Sequence, residues 1–201
     1  VYPDFIIVGG MRSGSSSVRD FLSKHKDTTV LNHEGNYFNV IENYQKGKEW
    51  YKKQFTKKGG TDVTFWGEKT VDYSLFPDIP QKIYKFNPGV KLIWIFRNPT
   101  DRTYSNYLHE FRIGNERFSF KYALKNEDKR IITNPYYGYK KRSIYHEQVE
   151  RFLDYFTLDQ MHFIVFEEMI KNWVSEMNAL LEFLELERFV DERPVFVNKT
   201  V

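Results

Sequence analysis

Phe5-Ile6-Ile7-Val8-Gly9-Gly10-Met11-Arg12-Ser13-Gly14-Ser15-Ser16-Ser17, followed by Val18-Arg19-Asp20-Phe21-Leu22, is the stretch that decides the fold. Its four consecutive apolar residues predict a strand covered on both faces. Gly9, Gly10 and Gly14 allow a sharp turn and a close approach of a ligand to the backbone amides. Val18, Phe21 and Leu22 recur at helical spacing, so a helix begins near Ser15. The free N–H groups of that helix start, ringed by hydroxyls and by Arg12, form an anion site.

The spacing resembles a nucleotide-binding P-loop, and its departure from one is informative. Four residues separate Gly9 from Gly14, as in G-x-x-x-x-G-K-[ST], but Ser15 stands where the lysine belongs. That lysine serves the β- and γ-phosphates of a nucleoside triphosphate, and the next hydroxyl holds magnesium. Here the cation, Arg12, lies inside the loop. The site is therefore suited to a phosphate without a magnesium-bound triphosphate tail. The alternative is a glycine-bearing turn with no ligand. The density of glycine, serine and arginine between strand and helix argues against it.

Composition sets the outer bounds. A chain of 201 residues, 41% hydrophobic and 18% aromatic, can bury the core of one domain, here read as residues 1–201. A net charge of +3 does not suit a nucleic-acid coat and does suit an enzyme that handles anions through local basic patches. No apolar run is long enough to span a membrane. Without cysteine, disulfides, thiolate metal sites and cysteine nucleophiles are excluded. The missing cysteine and the absence of a visible signal peptide lean towards a cytoplasmic setting. The chain begins at Val1, so the second point weighs little.

Thr28 to Leu31 reads as a short strand running into Asn32-His33-Glu34-Gly35-Asn36-Tyr37-Phe38. In a parallel sheet, residues just past a strand's C-terminal end line the ligand crevice. Glu34 there is either a partly desolvated general base or a helix-capping or surface carboxylate, and its position alone leaves both open. Residues 44–58 read as a basic-aromatic surface helix with Trp50, Tyr51 and Phe55 on one side, and Lys57 to Gly60 as a turn. Thr64 to Thr70 is another strand. Its Lys69 is either a second crevice cation or a solvated lysine paired with Glu68.

Pro80 to Phe86 predicts a helix, and Leu92 to Phe96 a buried strand that ends in Arg97 rather than in a magnesium-binding aspartate. Asn98 as N-cap and Pro99 as first helical residue start the next helix. Tyr104, Tyr107, Leu108 and Phe111 form its apolar stripe, and Arg97 with Ser105 is placed to grip a second phosphate. Residues 114–135 read as polar and irregular, with a helix near Phe118–Asn126. Tyr136 to Arg142 either lines an acidic-substrate cleft or is a solvated loop, and spacing does not separate these. A helix over Ile144 to Phe156, a buried strand over His162 to Phe166 and a core stripe of Val174, Met177, Leu180, Leu181 and Leu184 follow. Pro194 to Val201 reads as extended. Strands alternating with helices imply an α/β fold, with a central parallel sheet and helices on both faces.

At this point the motifs resemble a family. Gly9 to Ser16 is similar to the 5′-phosphosulfate loop of sulfotransferases that use 3′-phosphoadenylyl sulfate (PAPS), G-x-x-[KR]-[ST]-G-[ST]-[ST]. Arg97-Asn98-Pro99 through Ser105 resembles their 3′-phosphate motif, R-[ND]-P-x-x-R-x-x-S. His33 to Phe38 resembles the K-E-x-x-[FY]-F segment of the heparan sulfate N- and 3-O-sulfotransferases, and Glu68-Lys69-Thr70 with Tyr73 resembles that branch's E-K-[ST]-x-x-Y. Ser143 to Leu153 is similar to its G-x-Y-x-x-[QH]-L-x-x-W-L helix, and Phe196 to Thr200 to the N-K-T before its cofactor-covering loop. Six motifs occur in the family's order over nearly the whole chain.

The resemblance implies a P-loop-like three-layer sandwich and sulfuryl transfer from PAPS to a hydroxyl or amine, with adenosine 3′,5′-bisphosphate (PAP) as product and no metal. It implies that Gly10, Arg12, Ser13, Gly14, Ser15 and Ser16 hold the 5′-phosphate, that Arg97 and Ser105 hold the 3′-phosphate, that Glu34 takes the acceptor proton, and that Lys69 with Arg12 stabilises the departing charge. His33, Asn36 and Tyr37 would face a saccharide acceptor. His33 stands in place of the branch's lysine and Asn36 in place of its histidine, so the acceptor can differ from heparan. Ser143 replaces a glycine, the family's disulfide is impossible, and the basic covering loop is expected just beyond the last residue given. A P-loop nucleotide kinase or NTPase, and a non-catalytic glycan- or nucleotide-binding module, are the rival readings.

Overall fold

The computed structural model describes residues 2–55 and 65–189. The readings placed on residues 56–64 and 194–201 lie outside the described residues. Five strands, β1 (Phe5–Gly9), β2 (Thr28–Val30), β3 (Phe65–Lys69), β4 (Lys91–Phe96) and β5 (Met161–Val165), form one all-parallel sheet in the order β2-β3-β1-β4-β5. Helix α1 (Ser15–Lys24) follows β1; α2 (Ile41–Gln45) and α3 (Gly47–Lys52) follow β2. Next come α4 (Ile79–Phe86), α5 (Pro99–Arg112), α6 (Phe120–Lys125), α7 (Glu127–Thr133), α8 (Tyr145–Leu153), α9 (Phe166–Lys171) and α10 (Trp173–Phe183).

Side chains alternate across the strands and so feed two cores. Ile6, Val8, Leu92 and Trp94 point to the face covered by α3, α4 and α8, where Tyr51, Ile79, Ile83 and Phe152 complete the packing. Phe5, Ile7, Ile93, Ile95 and Ile164 point to the other face, against Val18, Phe21 and Leu22 of α1 and Trp173, Met177, Leu180 and Leu181 of α10. This is the expected sheet with helices on both faces. The chain leaves β1 towards β2 on one side and later builds β4 on the other. The C-terminal end of β1 is therefore the switch point at which such sheets open a ligand crevice.

Several local expectations change. The single helix over 44–58 is two short ones, parted at Gly47, whose φ of 79° only glycine adopts freely. Tyr51 and Phe55 are core residues, not a surface face. On α5 the expected stripe holds at Tyr107 and Leu108, which pack with Ala123 and Tyr139, but Tyr104 and Phe111 are exposed, and the buried face also carries Arg102, Thr103, Ser105 and Asn106. That face meets the 139–143 loop: the Arg102 guanidinium donates to the Tyr139 carbonyl and Thr103 Oγ1 to the same oxygen at 3.2 Å. Residues 127–133, read as irregular, form α7. β5 is an edge strand with Phe163 and Val165 exposed, and Val174, placed in the core stripe, is 64% exposed.

Gly67 is where β3 and β1 lie tightest. A Cβ there would sit 2.0 Å from Phe5 Cζ, a buried ring with no room to move. Overpacking of this kind costs about 1–3 kcal/mol. Gly67→Ala is expected to lower urea-unfolding stability by that amount, whereas Val174→Ala on the exposed face of α10 should stay within about 0.5 kcal/mol.

Candidate active site

The β1–α1 loop sits at the switch point. Gly10 N donates to Ile95 O at 2.9 Å, and a Cβ on Gly10 would come 2.9 Å from that same carbonyl, so the loop is pinned against β4 through a residue that must lack a side chain. Gly14, at φ 85°, starts α1, and a Cβ there would meet Met169 Cε at 2.8 Å. The first turn of α1 has no side-chain cap and no acidic residue. Its positive end therefore faces the crevice uncompensated. Ser13 and Ser15 are buried in the loop and Ser16 is exposed at its rim.

Arg12 holds a left-handed φ of 65°, a conformation that costs a non-glycine residue roughly 1–2 kcal/mol. Its Nε donates to Ser105 Oγ on α5 at 3.3 Å, and its own carbonyl accepts from Arg97 Nη1 at 3.1 Å. Burial, and then the neighbouring Arg97 and Arg112, lower the Arg12 pKa. Among the described residues no carboxylate lies within ion-pair distance of Arg12 or Arg97. Asn98 caps α5 as expected, its Oδ1 accepting from Thr100 N at 3.0 Å and Asp101 N at 3.3 Å, which fixes Arg97 at the strand tip. Arg97 stacks on Phe166, 4.9 Å from the ring centre. The predicted residues Gly10, Arg12, Ser13, Gly14, Ser15, Arg97 and Ser105 thus lie on one connected rim. This donor set of backbone amides, hydroxyls and two guanidinium groups fits a ligand bearing phosphates.

Across the crevice, Lys69 Nζ bonds Glu34 Oε1 at 2.7 Å. Lys69 is nearly buried and Glu34 partly open. The lysine pairs with Glu34 rather than Glu68 because consecutive residues of β3 point to opposite faces. His33 is exposed, with Nδ1 2.8 Å from Asn32 Oδ1. Asn36 is half-buried at a left-handed φ of 48°. Tyr37 is 3% exposed and stacks on Tyr51 with ring centres 4.4 Å apart, so it packs in the core instead of facing an acceptor.

From sequence Glu68 is a motif residue and a possible partner of Lys69, and the structure gives it a different place. Its side chain is wholly buried beneath the 34–38 loop, so close that a Cβ on Gly35 would fall 1.7 Å from its Oε2. The hydroxyls of Tyr51, Tyr73 and Thr70 face it. Thr70 Oγ1 accepts from Asn36 N at 3.2 Å, and Tyr73 Oη accepts from Tyr37 N at 3.0 Å and Phe38 N at 3.4 Å. The Glu34 loop therefore hangs from hydroxyls that are organised around one buried carboxyl. Burial pushes that carboxyl up to about 7, against the three hydroxyls, with Glu34 raising it further. Asp72 and Arg142, an ion pair that joins the end of β3 to the loop before α8, were also unforeseen. Their partnership spans 70 positions of sequence.

Among the described residues no group of three or more histidines and carboxylates could hold a metal ion, and no helix is long and apolar enough to cross a membrane.

The Glu68 pKa yields a sign. Between 4.5, its ordinary value, and about 7 the folded state holds a proton that the unfolded chain has released. Stability contributed by the neutral acid is complete below that window and is lost as the pH rises through it. The full shift corresponds to roughly 3 kcal/mol. Thermal melts of the parent chain should fall in Tm from about pH 5 to pH 8, and Glu68→Gln should flatten that slope.

A sequence profile of the sulfotransferase domain family matches residues 2–194. Heparan sulfate glucosamine 3-O-sulfotransferase 5 of Mus musculus is 30% identical over 202 residues, 98% of this chain and 58% of that protein. The human enzyme of the same name matches equally, and human heparan sulfate glucosamine 3-O-sulfotransferase 6 is 26% identical over 208 residues, 57% of its length. The chain thus spans little more than half the length of these curated relatives. A sulfotransferase from Alicyclobacillus acidocaldarius superposes with a TM-score of 0.85 at 29% identity, over 96% of this chain and 85% of that one. A mouse sulfotransferase complexed with PAP shares the fold with a TM-score of 0.59 at 18% identity, over 94% of this chain and 60% of its own. The chain belongs to the sulfotransferase domain family.

Proposed function

We propose that this chain transfers a sulfuryl group from PAPS to a hydroxyl or amine of a saccharide, without a metal. The observation that carries the reading is the pairing, across one crevice, of an arginine-rich rim at the uncapped start of α1 with the Glu34–Lys69 pair. The heparan sulfate 3-O-sulfotransferases among its relatives support the saccharide class.

When bound, PAPS supplies the sulfuryl group and a 5′-phosphate leaving group. Arg12, the loop amides and Ser13 to Ser16 hold that phosphate and stabilise the charge that develops on it. Arg97 and Ser105 take the 3′-phosphate, which separates this donor from ADP or ATP. With donor and acceptor bound, Glu34 would take the proton of the acceptor hydroxyl or amine as the sulfuryl group passes to that oxygen or nitrogen, the electron pair of the broken bond leaving with the 5′-phosphate. Lys69, held beside Glu34, neutralises charge on the transferring group. His33 and Asn36 stand at the acceptor side of Glu34. A kinase reading lacks both the P-loop lysine and the acid at the end of β4.

Calorimetry with PAP, in EDTA and then with magnesium, tests the donor site. Tight binding independent of metal and lost in Arg97→Ala is expected. Binding of Mg-ATP in its place would defeat the reading. Glu34→Gln should keep PAP affinity and lower transfer of labelled sulfate about 10²–10⁴-fold. A non-catalytic module would show binding in both forms and turnover in neither.

A further inference from the structure

The loop of Tyr136 to Arg142, whose role spacing left open, walls a cleft of about 390 Å³, within the range of small-ligand sites. One edge is Met11, the neighbour of Arg12 in the phosphate loop. Asp72, Arg142 and Tyr136 line it too, and Tyr136 also feels the charge of Glu34 and faces Asn39. The cleft therefore adjoins both the proposed donor rim, through Met11, and the proposed base Glu34, through Tyr136.

Its charge is the informative feature. Asp72 and Glu110 line it against a single cation, Arg142, whose guanidinium is already hydrogen-bonded to Asp72 with both side chains largely buried. The remaining polar lining is neutral: Asn115 donates Nδ2 to Glu110 Oε2 at 2.9 Å, and Asn134 Oδ1 accepts from Tyr136 N at 3.0 Å. Tyr136 offers a half-open ring above these groups. Carboxylates, amides and an aromatic ring are partners for hydroxyl groups and the apolar faces of a sugar ring. They are poor partners for sulfates or carboxylates, because like charges brought together in a closed site cost several kcal/mol. Arg12 and Arg97, nearby cations with no carboxylate partner among the described residues, belong to the donor rim.

We infer that this cleft receives the reacting unit of the acceptor and selects a neutral polyhydroxylated unit, an unsulfated saccharide without carboxyl groups, over a polyanionic one. The inference rests on the sulfotransferase reading above and departs from the heparan sulfate acceptor in the names of the curated relatives. Asp72 acts as the specificity-determining residue. It removes Arg142 from the reach of an anionic acceptor and adds its own negative charge to the wall.

The test measures transfer of labelled sulfate from PAPS by the full chain to chitotetraose, cellotetraose and maltotetraose, and to a sulfated heparan octasaccharide. At least one neutral tetrasaccharide is expected to exceed the octasaccharide in kcat/KM by about tenfold or more, a factor equivalent to about 1.4 kcal/mol. Asp72→Asn should move that ratio about tenfold towards the octasaccharide while PAP affinity stays unchanged. Glu110→Gln, which leaves the Asp72–Arg142 pair in place, should move it in the same direction should Asp72→Asn fold poorly. A parent chain that prefers the octasaccharide, one that binds PAP but sulfates neither class, or a ratio unmoved by both substitutions overturns the inference. Failure of PAP to bind at all defeats the donor-site reading instead, so the two failures are distinguishable.

Discussion

Two guanidinium groups, Arg12 and Arg97, are held side by side at the open end of a parallel sheet, with no described carboxylate between them, and the rest of the site depends on that arrangement. Like charges in a half-buried crevice repel, so the fold must impose the proximity. It does so through covalent economy. Arg12 is confined by a loop pinned to β4 through Gly10, and Arg97 directly follows the last residue of β4. Neighbouring strands in one sheet cannot separate without breaking their ladder. The uncapped start of α1 adds its partial positive charge to the same volume. A doubly phosphorylated ligand relieves all three unfavourable terms at once.

The opposite wall uses a different device. Glu34 lies on a loop with no regular structure, and the general base proposed there needs support. That support is a hydroxyl scaffold, Thr70 and Tyr73, which accepts the loop's amides and surrounds the buried Glu68. Below about pH 7 the acid beneath the loop is mostly neutral, so it accepts from these hydroxyls without placing a second full negative charge next to Glu34. The left-handed backbone at Arg12 and Asn36 shows that both walls store strain, as precise sites do.

The polar buried face of α5 belongs to the same logic. Arg102 and Thr103 tie α5 to the Tyr139 carbonyl, and Asp72 ties the end of β3 to Arg142. These bonds fasten the loop that walls the proposed acceptor cleft to elements that carry the proposed donor site. The proposed donor and acceptor surfaces are therefore mechanically one unit, although their residues are drawn from segments spread between Gly10 and Arg142.

Local chemistry made much of this legible in advance. The apolar run before Gly9, the Asn98-Pro99 start of α5 and the strand ends at Lys69 and Arg97 are signals carried by neighbouring residues, and the structure has them where the spacing puts them. Periodicity misled where its partner was not a hydrophobic layer. Tyr104 and Phe111 of α5 face outwards because part of its inner face meets the Tyr139 carbonyl, and Tyr51 is buried because Tyr37 stacks on it from another segment. Glu68 looked like the partner of Lys69 only while the strand's two faces were unseen. By itself, then, the sequence determined the parallel α/β frame, the phosphate loop and the cations at its rim, since these follow from short-range steric and capping rules. Only the tertiary structure decided that Lys69 belongs to Glu34, that Glu68 is a buried acid under the base loop, and that Asp72 claims Arg142. Each of those pairings joins residues distant in the chain, or separates adjacent ones across a sheet, and no local rule encodes either.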